Sequence, residues 1–302
     1  MRTRLLSAVQ RTALLLFAAT VAGSSPGVAD GNFDTYLRQL DQNQVTGYLQ
    51  PFADLTGANY NTGWYQSAHI PTTGFNLDFR IIVMGGSVGD EQKEFDLPLP
   101  AGFSSPTMKS PTIFGKPEGA TYTDPNTGLR YSGPGGIFNT SLAPAAAPQL
   151  RIGSLYGTEA IIRFILLPEA GEIPRGTLFG IGARHSISQY FPELPLDIAA
   201  GGIYHTGAFG DYVDLSTLAL GAQASKNLGV VTLFGGIQYE MTTMDVSYTT
   251  SQAGTPVNVS LDGDRAFTFT AGADFHLGPI RIHADANLGS VMNFTGSIGF
   301  GI

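Results

Sequence analysis

The sequence predicts an all-β chain: an antiparallel transmembrane β-barrel of about 10–14 strands, 10–12 favoured, behind a short N-terminal helical segment. Three observations predict it. Apolar and polar residues alternate with period two over stretches of about 9–11 residues, the length a tilted strand needs to cross hydrocarbon. An export-type leader stands in front of them. Charged residues are only 13% of the chain and glycine supplies 39 of 302 residues, against ordinary shares of about 25% and about 7%.

The leader comes first. Arg2, Arg4 and Arg11 form a positive start, Thr12 to Ala22 is apolar, and Gly27-Val28-Ala29 offers small residues for cleavage after Ala29. The apolar run is short for a bilayer span, which favours a signal peptide (residues 1–29) over an uncleaved anchor. There is no cysteine, so thiol lipidation, disulfides and thiolate metal sites are excluded. Removing residues 1–29 takes away three arginines and no acid, leaving 13 basic against 24 acidic residues and a formal charge of −11. That balance excludes nucleic acid as a partner.

Residues 30–63 carry Tyr36, Leu37, Leu40, Val45, Tyr48, Leu49, Phe52 and Leu55 at spacings of one, three and four. This predicts one or two short amphipathic helices, serving as a hatch in the barrel or as a segment on its periplasmic rim. Trp64-Tyr65 is placed at the periplasmic interface, where aromatic residues are favoured.

The barrel itself is assigned to residues 64–302. Ile280, Ile282, Ala284, Ala286 and Leu288 alternate with Arg281, His283, Asp285 and Asn287; successive strand residues show opposite faces, so one face is wholly apolar. The same split recurs in 75–83, 231–241 and 267–276. Strands are predicted at 75–88, 147–156, 158–167, 175–187, 196–209, 212–225, 230–249, 258–276, 279–289 and 292–302. A soluble sandwich also alternates, but its strands are shorter and its polar face meets water. Gly157, Lys226–Gly229 and Leu277-Gly278-Pro279 read as tight periplasmic turns. Residues 89–146 are far longer than an ordinary loop. Within them Asp124-Pro125-Asn126-Thr127-Gly128, between Tyr122 and Tyr131, signals a hairpin that would raise ten strands to twelve. The last strand presents Phe294, Ile298 and Phe300 to lipid, an aromatic-bearing strand of the kind the barrel-insertion machinery usually reads, with Ile302 in place of the commoner final Phe.

Gly182-Ala183-Arg184-His185-Ser186-Ile187-Ser188-Gln189-Tyr190-Phe191-Pro192, followed by Leu194-Pro195-Leu196-Asp197, resembles the periplasmic turn of barrels akin to the long-chain fatty-acid transporters. Pro111–Gly115 and Pro148–Gly153 resemble an uncharacterised family of such barrels in Gram-negative bacteria. The likeness covers most of residues 45–302. It implies an outer-membrane location, an N-terminal hatch in the lumen and passage of small hydrophobic molecules.

Register places Asp78, Arg80, Glu159, Arg163 and Arg184 on the lumen face, together with Glu240, Asp274, Arg281, His283 and Asp285. These residues either line a pore and meet a polar head group, or pair with one another and fill a narrow barrel. Catalysis is not expected: no Gly-x-Ser-x-Gly accompanies His283 and Asp285, which point inward. No metal or other cofactor is expected either, since Asp262-Gly263-Asp264 and Asp124-Pro125-Asn126 lack calcium-loop spacing and read as turns. The functional expectation is a transport-type channel for small molecules, either a slow diffusion channel or a conduit for hydrophobic ones. The alternative is a plugged scaffold or binding barrel that anchors or hands over secreted partners. Outer-membrane lipid and the insertion machinery are the implied partners.

Overall fold

The computed structural model describes residues 33–167, 175–251 and 254–302. The predicted leader therefore lies outside the described residues. Two helices come first, α1 (Phe33–Leu37) and α2 (Gln42–Tyr60). Asp41 caps α2: its carboxylate accepts the backbone N–H of Asn43 and Gln44, and the Gln44 side chain bonds back to the Asp41 N–H. That reciprocal pair satisfies donors the first turn leaves open.

Strand β1 (Asn76–Ser87) is followed by two hairpins, β2 (Glu94–Pro98) with β3 (Thr107–Pro111), and β4 (Thr121–Thr123) with β5 (Arg130–Ser132). Then come β6 (Leu142–Leu155), β7 (Thr158–Leu167), β8 (Gly176–Ser186), β9 (Asp197–Phe209), β10 (Val213–Asn227) and β11 (Val231–Thr249). The chain finishes with β12 (Pro256–Asp262), β13 (Phe267–Leu277), β14 (Ile280–Leu288) and β15 (Met292–Gly301). Antiparallel pairing runs β1-β6-β7-β8-β9-β10-β11-β13-β14-β15 and returns from β15 to β1, which closes a ten-stranded barrel.

Its wall is inverted relative to a soluble protein. On β14, Ile280, Ile282 and Leu288 are exposed while His283, Asp285 and Asn287 are buried. On β15, Phe294, Ile298 and Phe300 are exposed while Asn293, Thr295 and Ser297 are buried. An apolar outer face around a polar interior is what a strand meets between lipid and lumen.

On one rim three connections are tight, 156–157, 228–230 and 278–279, and one is longer, 187–196. Tyr156 and Gly157 both take positive φ, 49° and 72°, the left-handed pair a two-residue hairpin needs to match strand twist. β13 and β14 are joined there by Gly278-Pro279, and β1 starts and β15 ends on this side. The segment 88–141 rises from the opposite rim. By the rule of short periplasmic turns and long outer loops, the first rim corresponds to the periplasmic rim of an outer-membrane barrel.

Three strand expectations are corrected. The span 258–276 is two strands, broken at 263–266: β12 pairs only with the outer part of β11, and β13 takes over below it. The Tyr122/Tyr131 hairpin forms, but as a separate two-stranded sheet, so the barrel keeps ten strands. β6 begins at Leu142, because Ala143, Ala145 and Ala147 continue its inward face beyond the predicted start at 147.

Candidate functional site: the occupied lumen

The lumen has two halves of opposite character. Towards the outer rim, Ile82, Met84, Ala143, Ala145, Ala147, Ile165, Leu178 and Leu215 point inward and pack with Val45, Leu49 and Leu55 of the two-helix segment in one apolar cluster. Segment 88–141 joins that core through Leu97, Met108, Ile113 and Phe114.

Towards the periplasmic rim the wall is charged. Arg80 donates to both oxygens of Asp78 (Nε–Oδ1 2.7 Å) and to Asp274 (Nη1–Oδ1 2.6 Å). Arg151 bridges Asp78 at 3.2 Å and Glu159 at 3.3 Å, and Arg184 Nε donates to Glu159 at 2.8 Å. Three guanidinium groups thus meet three carboxylates in one belt running over β8, β7, β6, β1 and β13. His276 bonds Asp274 at 2.8 Å. Beside the belt, His283 Nε2 bonds Asp285 at 2.7 Å, Asn287 donates to the other Asp285 oxygen, and the His283 ring stacks on Phe234. Buried charges of this kind are tolerable because they are mutually paired.

Between α2 and β1 the chain descends the barrel axis as a strap, residues 61–75. It contains no Lys, Arg, Asp or Glu. Trp64 Nε1 donates to Gln238 Oε1 at 2.8 Å, and Gln238 Nε2 donates to the Asn61 carbonyl at 2.7 Å. Tyr65 Oη donates to the Ile237 carbonyl at 2.9 Å, and the Ala68 N–H donates to Ser225 Oγ at 2.8 Å. The Tyr65 ring fits only because two wall residues are glycine: a Cβ at Gly236 would lie 2.6 Å from Tyr65 Cε2, and one at Gly221 would lie 2.0 Å from Tyr65 Oη. At the periplasmic exit His69 Nδ1 meets Asp197 at 3.1 Å. Trp64 is fully buried in the lumen, which corrects its expected place at the membrane interface: the indole N–H finds its acceptor on the polar inner face of β11.

Arg163 stands apart from the belt. Its Nε donates to Gln149 at 2.6 Å, and its two Nη atoms donate to the carbonyls of Tyr60 (2.8 Å) and Thr62 (2.6 Å), where α2 ends. A cation at a helix C-terminus is favourably placed against the helix dipole.

The predicted lumen residues fall as follows. Asp78 and Arg80 on β1, Glu159 on β7, Arg184 on β8 and Asp274 on β13 are buried members of the belt. His283 and Asp285 on β14 are buried beside it, Arg163 on β7 holds the strap, and Glu240 on β11 accepts from Gln238 at 2.6 Å. Arg281 is half-buried at the periplasmic rim and donates to the Gly278 carbonyl. Arg151 was missed, although its alternation with Leu150 and Ile152 marks it as inward-facing; so was Gln149, on the same face. Gln238 was assigned to the polar face of its strand, but nothing local shows that a distant segment uses it. Among the described residues no group of three or more His, Cys, Asp or Glu is arranged to hold a metal ion.

Several solved barrels align with the structure at low similarity. The Neisserial surface protein NspA aligns at 13% identity over 48% of this chain and 92% of its own, with a TM-score of 0.25. A loop-deletion mutant of OmpT, an outer-membrane protein of Vibrio cholerae, aligns at 9% identity over 76% and 99%, TM-score 0.26. The translocator domain of the autotransporter NalP from Neisseria meningitidis aligns at 14% over 76% and 88%, TM-score 0.27. The architecture given above stands on the chain's own register. No curated protein matches the sequence. A family signature spans residues 9–302, almost the whole barrel chain, and on that match the protein belongs to the family of unknown function DUF6588.

Proposed function

We propose that the protein is an outer-membrane conduit for small apolar molecules, closed at rest by its own N-terminal segment. One observation carries the reading: the three guanidinium groups of the belt meet their carboxylates on the wall itself, while the strap that fills the lumen carries no Lys, Arg, Asp or Glu. Arg80, Arg151 and Arg184 keep their carboxylate partners whether or not residues 61–75 are present. The strap is held by neutral hydrogen bonds, one arm of Arg163 on the Thr62 carbonyl, a 3.3 Å bond from Arg184 to the Ser67 carbonyl and the His69–Asp197 contact of 3.1 Å at the periplasmic exit. The outer half of the lumen is apolar, which suits a hydrophobic solute and agrees with the resemblance to fatty-acid transporter barrels.

The plugged-scaffold reading draws on a different feature, the folded outer segment 88–141 that shares its core with α1 and α2. Deleting residues 33–72 separates the two. Because residues 61–70 fill the lumen by themselves, the deletion must extend past the helices. A conduit gives a folded barrel with sharply raised single-channel conductance in planar bilayers. A folded barrel whose conductance does not rise contradicts the conduit and favours the scaffold.

A further inference from the structure

The connection 187–196 between β8 and β9 and the lower end of the strap enclose a cavity of about 420 Å³ at the periplasmic exit. That lies within the range of small-molecule sites, roughly 300–1,000 Å³. Both of its walls are anchored. On the β8–β9 side the Ile187 N–H donates to the Ile198 carbonyl at 2.8 Å, and Ser188 Oγ accepts the Ile198 N–H at 3.2 Å. His185 ties down the middle of this connection, bonding Tyr190 Oη at 2.9 Å, the Gln189 side chain at 2.8 Å and Thr158 Oγ1 at 2.8 Å. On the strap side Ile70 is buried with Ala68 and Ala199 in a cluster of its own, and the Ala68 N–H is held by Ser225. A cavity between two held walls is preformed, as ligand sites usually are.

The lining is part apolar and part polar. Phe191, Leu194 and Leu196 border the cavity and are 57%, 40% and 38% exposed. Single apolar side chains at a surface are ordinary, but a group gathered round a concavity marks a binding surface. The polar part is Ser186, Thr72, Thr73 and the His69–Asp197 pair. No Lys, Arg or Glu lines the cavity. The cations that touch its two walls are committed elsewhere: Lys226 donates to the Pro195 carbonyl, and Arg184 to Glu159 and the Ser67 carbonyl. Glu193, in the same connection, adds a negative charge to the rim. An anionic head group would therefore meet the Asp197 carboxylate with no counter-charge, whereas a hydroxyl or ammonium head can donate a hydrogen bond to it.

We infer that this cavity is a binding site for an amphiphile with a hydrogen-bond-donating, non-anionic head, an alcohol or an amine. The head lies on Asp197 and the chain along Phe191, Leu194 and Leu196. The site does not depend on the conduit reading, since a scaffold barrel would carry it equally. The intact protein in lipid nanodiscs tests it at about pH 8, above the range in which histidine ordinarily gains charge. The probe is decanol bearing a diazirine on its chain, photolysed and mapped by peptide mass. Labelling of Phe191, Leu194 and Leu196 is expected to saturate and to be displaced by unlabelled decanol and decylamine. Decanoate should displace it roughly tenfold less well, or worse. The stronger of the two displacing heads, hydroxyl or ammonium, names the natural one. Asp197→Leu should abolish saturation. Leu196→Lys keeps Asp197 and puts a cation in the cavity, and should bring decanoate up to the level of decanol; heat-modifiable migration shows that each variant is folded. Labelling that rises in proportion to the probe without saturating shows contact with the lipid interface only and overturns the site. Displacement by decanoate as strong as by decanol in the unmodified protein overturns it too. Binding is read on the intact chain and conductance on the strap deletion, so either reading can fail without the other.

Discussion

At the scale of single residues, register decides what a substitution does. Ala284 faces lipid while His283 is buried beside it on β14. Arginine at a lipid-facing midplane position costs about 2–4 kcal/mol. Ala284→Arg should therefore impair insertion, whereas His283→Ala should insert normally, since Asp285 keeps its bond from Asn287. Outer-membrane fractionation of the two variants checks this, and equal yields would refute the register. Gly236 is sensitive for another reason: valine there drives a Cβ into the Tyr65 ring. The expected outcome is an intact barrel, shown by heat-modifiable migration, with residues 61–70 newly open to protease. Outside the membrane, Asp124 accepts backbone N–H groups from Ser104, Asn126 and Thr127. These donors hold its carboxyl well below the usual carboxylate range. A depressed folded-state pKa gives stability that is present above the ordinary carboxylate value of about 4 and lost as pH falls through the folded value. Amide exchange across 121–132 should therefore stay slow at neutral pH and quicken only in strong acid. Asp124→Ala should exchange fast at neutral pH as well; identical profiles would show that the carboxylate does not order the hairpin.

At the scale of elements, what could be read depended on whether a residue's environment repeats along the chain. Strands between lipid and lumen face opposite demands at successive positions, so β1, β11, β13, β14 and β15 were legible from alternation alone, and their lipid and lumen faces with them. The break between β12 and β13 was not. Val257 and Leu261 share the parity of Phe267 and Phe269, yet the first pair is buried and the second exposed, and the change of partner is fixed by β11, where the Gly263 N–H bonds the Thr242 carbonyl and the Glu240 N–H bonds the Ala266 carbonyl. The strap was the least legible element. Residues 61–75 have no period and no charge, and Trp64 meets its acceptor 174 positions away. Trp64-Tyr65 read locally as interface aromatics because that is where such residues gather, whereas a polar lumen wall with glycine gaps holds them equally well.

At the scale of the whole molecule, the chain threads its own barrel. α1 and α2 lie under the outer segment, the strap runs down past the charged belt, and β1 starts at the periplasmic rim. An epitope inserted just before Phe33 should therefore be reached by antibody on intact cells; an epitope exposed only after the outer membrane is breached would place the segment on the periplasmic side instead. The central claim is that this threaded segment is a displaceable plug, and a reversible lock tests it most directly. Ala68→Cys with Ser225→Cys joins the strap to β10 where the Ala68 N–H already bonds Ser225 Oγ at 2.8 Å, in a chain that offers no competing thiol. In planar bilayers the reduced protein should show openings that vanish on oxidation and return with reductant. Openings of equal frequency and size in both states would contradict the account.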